Sequence, residues 1–269
     1  MSHKPSLKWR TLEFCANHGF SLSRSTETGT VRSFIEQLHP VITSKDLIRL
    51  GAQGDGGYLA PDDLEGIVAC FSPGVDKVAT FESDIISRGI PCYLADASVT
   101  GPPISNPLIH FDKLFLGVVD DSITITIDKW VKAHAPLQGD LLLQMDIEGA
   151  EYPVLLNASD ELLQRFRVIV LELHDLEHLI DPVGFKFISS TLSRLLAYFH
   201  VVHLHPNNLA PPLHAAGLTI PRLLEITLLR KDRLPRIGYA HSFPHPLDSR
   251  NLTDRPDLPL PAQWYRAAV

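Results

Sequence analysis

The stretch from Asp140 to Glu151, Asp-Leu-Leu-Leu-Gln-Met-Asp-Ile-Glu-Gly-Ala-Glu, constrains the fold more than any other in the chain. Its first part, Leu141 to Met145, has the length and apolar character of a strand buried on both faces. Three carboxylates follow at once, Asp146, Glu148 and Glu151, with Gly149 between them. In open α/β sheets, ligands bind in the crevice beyond the carboxyl ends of the strands. An acidic cluster where a buried strand ends is therefore a candidate for chemistry. A structural role also fits, because a glutamate near a helix start favours the dipole and Gly149 permits the turn.

The segments around this run have the same texture. Ile67 to Phe71 reads as a buried strand, followed by the turn Ser72-Pro73-Gly74-Val75-Asp76 and a helix from about Lys77 with Val78, Phe81, Ile85 and Ile86 as its apolar stripe. Strand, glycine turn and helix form the opening unit of a nucleotide-binding α/β domain. Pro91 to Ala95 is a second short strand ending in Asp96. An acidic residue about 20 positions beyond the glycine turn is placed to accept hydrogen bonds from ribose hydroxyls, and a carboxylate takes two donors at once. Leu114 to Val118 is predicted as a third strand, with Ile123 to Ile127 as another and Asp128 to His134 as a short helix. Val168 to Leu173, His200 to His205 and Leu223 to Leu229 complete the strands, and a long amphipathic helix carrying Phe185, Ile188, Leu192 and Leu195 lies before the second of these. Pro153 is tolerated in the first turn of the helix after Gly149. Strands alternating with helices predict a mostly parallel sheet covered on both faces. Upstream, Asp55-Gly56-Gly57-Tyr58 is a glycine turn, serving either a tight bend or close approach to a ligand.

Residues 1–45 read as a helical extension in two pieces around a polar loop at residues 21–30. Residues 46–231 read as the α/β domain, and residues 232–269 as a proline-rich irregular tail. A net charge of −7 gives no basic footprint for nucleic acid or an anionic membrane. Three widely spaced cysteines, Cys15, Cys70 and Cys92, argue for reduced thiols. The first ten residues have no apolar leader core, and no apolar run approaches membrane-spanning length. A soluble, cytoplasmic chain is the expectation.

Several stretches together resemble the FkbM-type methyltransferases, which use S-adenosylmethionine. They are Asp55-Gly56-Gly57-Tyr58, Phe71-Ser72-Pro73-Gly74-Val75 with Phe81-Glu82, Asp96, Gln144 to Tyr152, Glu172-Leu173-His174, His203 to Asn208, and Ile220-Pro221 with Leu224 to Thr227. The chain departs from the pattern in carrying only Gly74 in the cofactor turn and Asp96-Ala97-Ser98 where Asp-Pro-Thr is often seen. The resemblance implies a Rossmann-like, seven-stranded methyltransferase sheet with its last strand antiparallel. It implies O-directed methyl transfer to a sugar or other small polar molecule. Asp55, Gly57, Ser72, Gly74, Asp96 and Asp146 become the expected cofactor contacts.

An alcohol is a poor nucleophile at neutral pH, so a base or a metal is required. Asp146 and Glu148 are candidate catalytic carboxylates. His174 is a candidate base, since an unperturbed histidine titrates near pH 6.5. Alternatively, Asp146, Glu172 and Asn207, each at a strand end, offer oxygen ligands for one Mg²⁺ that acidifies the acceptor hydroxyl. Glu151, one helical turn further on, fits a structural role. Two other readings stay open: a metal-dependent glycosyl or phosphoryl transferase, which lacks a Gly-x-x-x-x-Gly-Lys phosphate loop here, and a non-catalytic nucleotide-binding scaffold. A homo-oligomer through the N-terminal helices is also compatible.

Overall fold

The computed structural model describes residues 7–267 apart from positions 21 and 76, so Ser21 of the expected polar loop and Asp76 of the expected glycine turn lie outside the described residues. Seven strands form the central sheet: β1 (Ile67–Pro73), β2 (Cys92–Ala95), β3 (Ile109–Asp112), β4 (Asp140–Met145), β5 (Phe166–Leu173), β6 (Phe199–Pro206) and β7 (Leu224–Arg230). Their order is β6-β7-β5-β4-β1-β2-β3. The pairs β1–β2, β1–β4, β4–β5 and β2–β3 are parallel, and β7 runs antiparallel to both β5 and β6. This is the expected architecture, with the last strand reversed.

Helices α1 (Leu7–Asn17), α2 (Thr28–Gln37), α3 (Thr80–Ser87), α4 (Ile127–His134), α5 (Glu151–Asn157), α6 (Asp160–Leu163) and α7 (Pro182–Tyr198) complete the main elements. Successive strand residues face opposite sides of a sheet, so β4 divides its apolar side chains between two layers. Leu141, Leu143 and Met145 meet Val31 and Phe34 of α2, Trp130 of α4 and Leu192 of α7 on one face. Leu142 meets Phe81 and Ile85 of α3 on the other. Helix α7 starts where Asp181 accepts hydrogen bonds from the backbone N–H groups of Val183 and Gly184, both at 2.9 Å, with Pro182 in its first turn.

Two local expectations need correcting. The third strand of the sheet is Ile109–Asp112, not Leu114 to Val118. Within that second run, Phe115–Gly117 pairs in parallel with Thr124–Thr126 in a separate two-stranded ladder. The edge strand carries the exposed His110 and half-buried neighbours, so it lacks the continuous apolar signal of a strand covered on both faces. Helix α3 starts at Thr80 rather than Lys77, and Val78 lies before it, 57% exposed.

The flanking segments are tied to the sheet unequally. Helix α2 buries Val31, Phe34 and Ile35, whereas α1 buries none of its residues. Val41–Ile42 pairs antiparallel with Gly238–Tyr239 of the tail. Further along the tail, Leu260 and Trp264 enter the core, and the Trp264 indole N–H donates to the Thr219 carbonyl at 2.9 Å. Cys15, Cys70 and Cys92 are free thiols. Among the described residues no helix is long and apolar enough to cross a membrane.

Candidate active site

The strand order reverses between β1 and β4, and ligand crevices in open α/β sheets form where the order reverses. A cleft of about 420 Å³ opens there, lined by Gly74, Ala95, Asp96, Phe115, Leu116 and Asp146 among others. A more open depression of about 620 Å³ lies at the opposite edge of the sheet, around Asp140, Arg165 and Arg230. Its charges are spent on local partners. Arg230 pairs with Asp140 and Asp232, and Arg165 donates to the carbonyls of Pro136 and Gly139. The smaller cleft is the one with convergent, unspent polar groups.

Gly74 has φ +85°, and a Cβ placed on it would stand 1.6 Å from the Asp146 carbonyl oxygen. Only glycine lets the chain leaving β1 pass this close to the end of β4. The Gly74 N–H donates to the Ala95 carbonyl at 3.1 Å, which ties the ends of β1 and β2 together. Asp96 extends the lacing. Its Oδ2 accepts from the Val75 N–H at 3.0 Å, and its Oδ1 accepts from the Ser98 N–H and hydroxyl, both at 2.6 Å. A carboxylate has about four acceptor positions, so one on Oδ2 is left for a ligand.

The other three expected cofactor contacts do not line this cleft. Ser72 is fully buried beneath it, where its hydroxyl meets Glu82 and Gln144. Burial pushes the Glu82 carboxyl up, partly offset by the Ser72 hydrogen bond. Gly57 is needed for another reason, because a Cβ there would meet the Ala52 carbonyl at 2.1 Å and Arg49 Nη2 at 2.6 Å. Asp55 accepts from Asn251 Nδ2 at 3.2 Å, a tail residue.

At the end of β4 the acidic run folds back towards β5. Glu148 takes a left-handed backbone, φ +56°, and Gly149 follows at +97°. Asp146, Glu148 and Glu151 thereby surround His174. The imidazole Nε2 is 3.7 Å from Asp146 Oδ1 and 3.5 Å from Glu148 Oε2, and Nδ1 is 3.2 Å from Glu151 Oε1. The Tyr152 hydroxyl donates to the His174 carbonyl at 2.7 Å and fixes that backbone. Glu151 has 0% side-chain exposure, and its Oε1 accepts from the Ile147 N–H at 2.8 Å, which is the turn-holding role expected of it.

These neighbours set the protonation states. Burial alone would push His174 down, but Glu151, Asp146 and Glu148 lift it to about 9. The expectation of His174 as a neutral base near 6.5 is thereby corrected: in this setting the imidazole carries a proton at pH 7. Burial also drives Asp146 up to about 6, with Glu151 and Glu148 adding to it and His174 and a hydrogen bond with Glu172 opposing. Glu172 is pushed well above the usual carboxylate range by burial and then by Asp146 and Glu225. Two carboxyls sharing one site cannot both ionise cheaply, and each pushes the other up.

Asn207 does not join Asp146 and Glu172 as an oxygen donor in this geometry. Its Nδ2 donates to Glu172 Oε1 at 2.7 Å, and its Oδ1 accepts from the Leu209 N–H at 2.8 Å. Among the described residues, the set whose ligand atoms all lie within 4.8 Å of one another is Asp146, Glu148 and His174.

A second polar layer continues along the same sheet edge. Glu225 on β7 sits opposite Glu172 on β5 and His205 on β6. The tail closes over it: Asn251 Nδ2 donates to Glu225 Oε1 at 2.7 Å, and Asp248 Oδ1 is 2.8 Å from His203 Nε2. Sequence periodicity could place His203 and His205 on one face but gave no signal for Asp248 or Asn251, which come from an irregular segment. Phe115, Leu116 and Ser98 were likewise missed as cleft residues: the first two were read as part of a strand of the main sheet, and Ser98 lies in a loop without a periodic mark.

With the site described, the comparisons bear on it. Residues 101–199 match the family described as Methyltransferase FkbM domain. That segment is well under half of the chain, yet it spans β3 to α7 and holds Asp146, Glu148, Glu151, Glu172 and His174. It supports methyl transfer as the general function. Gly74, Asp96 and Asn207 lie outside the matched segment. Among solved structures, bluetongue virus VP4, described as a multifunctional RNA-capping production line, matches with a TM-score of 0.40 and 12% identity over 87% of this chain and 40% of its own. A likeness of that degree carries nothing over to this chain. No curated protein matches the chain significantly.

Proposed function

We propose that the chain transfers a methyl group from S-adenosylmethionine to a hydroxyl oxygen of a small, polar, sugar-like acceptor. The observation that carries this is the meeting of Gly74, Asp96 and Asp146 in one cleft where the sheet order reverses, with the matched methyltransferase segment forming the Asp146 side. The volume lies within the range of small-molecule sites, about 300–1,000 Å³. Asp96 suits ribose hydroxyls through its remaining lone pair, and Phe115 and Leu116 offer an apolar wall to a purine. The overall charge of −7 disfavours a polyanionic acceptor such as nucleic acid.

The cofactor supplies an electrophilic methyl on a sulfonium. Gly74, Asp96 and Asp146 would hold that cofactor, whose sulfur would keep the bonding pair as the methyl passes to the acceptor oxygen. The residues of this chain hold the two in line and take up the hydroxyl proton. Asp146 receives it, since a carboxylate pushed to about 6 is matched to work near neutral pH. Glu148, 89% exposed at the cleft mouth, is placed to orient the acceptor by hydrogen bonding. The charged imidazole of His174 steadies both carboxylates. Calorimetric titration with S-adenosylhomocysteine tests the reading: micromolar binding that Asp96→Ala weakens by about 10-fold or more supports it, and absence of binding to the folded protein refutes it.

A further inference from the structure

Two of the three carboxylates around His174 stand at distances that hydrogen bonds do not explain. N–H···O bonds lie at about 2.7–3.2 Å. His174 Nε2 stands 3.7 Å from Asp146 Oδ1 and 3.5 Å from Glu148 Oε2, too far for either. Two donor atoms bound to one ion at about 2.0–2.2 Å are separated by roughly 3.0–3.7 Å for coordination angles between octahedral and trigonal. The two separations from Nε2 fall in that range, and one ligand atom from each of the three residues lies within 4.8 Å of the other two.

A second observation concerns unspent polar atoms. Asp146 Oδ1 and Glu151 Oε2 are each buried with no hydrogen-bond partner, and both belong to this one cluster. The Glu151 side chain is wholly buried, and its other oxygen stands 3.2 Å behind His174 Nδ1. A carboxylate behind the second nitrogen of a histidine is the arrangement that orients an imidazole towards a metal. Three carboxylates around one imidazole also leave a negative excess that a dication would balance.

We propose that Asp146 Oδ1, Glu148 Oε2 and His174 Nε2 bind one divalent transition-metal ion, of the Mn²⁺ to Zn²⁺ class, which displaces the proton that the imidazole carries in its absence. Two carboxylates and one imidazole suit these ions better than Mg²⁺ or Ca²⁺, which favour all-oxygen shells. This replaces the Asp146–Glu172–Asn207 set and its Mg²⁺. Three protein ligands leave positions open on the side of the cleft, as catalytic metal sites do. Resting on the methyl-transfer reading, an ion held here would engage Asp146 and Glu148 in place of their proton-accepting and orienting roles, and would take the acceptor hydroxyl as a further ligand, whose proton then leaves to solvent.

The test uses the full chain after chelator dialysis, without cofactor. Mn²⁺, Zn²⁺ and Mg²⁺ are titrated separately by calorimetry, and Mn²⁺ also by loss of its free-ion electron paramagnetic resonance signal. The expected result is one equivalent of Mn²⁺ or Zn²⁺ bound at least about tenfold more tightly than Mg²⁺. Glu148→Gln and His174→Asn should each weaken it roughly 10–100-fold, the cost of a disturbed metal environment. Glu148 is 89% exposed, so its variant folds even if the histidine variant does not. No stoichiometric binding, or binding that Glu148→Gln leaves untouched, overturns the site and leaves an ion-pair cluster. S-adenosylhomocysteine titrated into the same metal-free protein separates the two readings, because metal binding without it refutes methyl transfer alone, and the reverse refutes the metal alone.

Discussion

Gly74→Ala puts the placement of the cleft under direct strain. The φ of +85° costs an L-residue about 1–2 kcal/mol. The new Cβ would then lie 1.6 Å from the Asp146 carbonyl oxygen and 2.7 Å from its carbon. Both are backbone atoms at the end of a strand buried in the sheet, so no side chain can swing aside and β1 must part from β4. Forcing a methyl into packed surroundings costs typically about 1–3 kcal/mol more. Gly89 is the matched control: its φ is +77°, and a Cβ there meets nothing within 4 Å. Gly89→Ala pays the conformational cost alone. At about 2–4 °C per kcal/mol for a chain of this size, the melting temperature should fall by roughly 10 °C for Gly74→Ala and by about 4 °C for Gly89→Ala. Thermal unfolding followed by circular dichroism reads both. S-adenosylhomocysteine titration of the folded fraction should show binding lost in the first variant and kept in the second. Equal melting shifts would refute the close approach of the two strand ends, and retained affinity in Gly74→Ala would refute the location of the cofactor.

Asp96→Ala should weaken S-adenosylhomocysteine binding by about 1.5–3 kcal/mol, the range for hydrogen bonds to a charged group. Ser98→Ala, which removes one hydroxyl donor from the Asp96 latch and leaves its carboxylate, should cost far less; equal losses would mean that Asp96 only holds the loop. Asp146→Asn should lower turnover about 10²-fold or more with cofactor affinity kept, and normal turnover with a lowered melting temperature would show Asp146 to be structural. The tail clasp predicts a pH dependence. Burial alone would push the Asp248 carboxyl up, yet hydrogen bonds and charge from His203 and His205 hold it below the carboxylate range. Its contribution is thus present above the unfolded value near 3.9 and lost as pH falls below it. His205, raised by Asp248, Glu225 and Asp257 against its burial, contributes below about 6.5 and loses this above. Glu225, raised to about 7 chiefly by burial, costs stability as pH rises from its unfolded value near 4.5 through 7. Urea unfolding between pH 2.5 and 5 should show the acid loss flattened in Asp248→Asn, and an unaltered acid limb would sink this account.

The parallel sheet was legible because strands covered on both faces must be apolar throughout. Leu141 to Met145 and Val168 to Leu173 announce themselves for that reason, and both appear where expected. Ile109–Asp112 hid because an edge strand needs only part of that pattern. The positions of the carboxylates just past β2 and β4 were legible too, since each follows directly on an apolar run, although Asp96 and Glu151 also tie the local backbone together. What the sequence could not carry was the direction of the side chains. The left-handed turn at Glu148 is what brings its carboxylate back to His174, and a positive φ at a non-glycine residue has no sequence signature. Asn207, by contrast, sat at a strand end as expected and then spent both ends of its amide within the protein.

The distribution of protons links the fold to the chemistry. Asp146, Glu172 and Glu225 lie at adjacent points of one sheet edge and are all pushed up, with burial as the first cause in each. A fold that merely needed stability would gain by replacing such a row with apolar side chains, since buried charge is costly even when paired. The row persists beside a cleft whose proposed cofactor is a cation and beside a ligand set suited to a dication. A positive charge arriving there favours the ionised carboxylates and draws their pKa values back down. Asp146, raised to about 6 without a ligand, is drawn lower by that charge and so is more fully ionised in the loaded site than in the empty one.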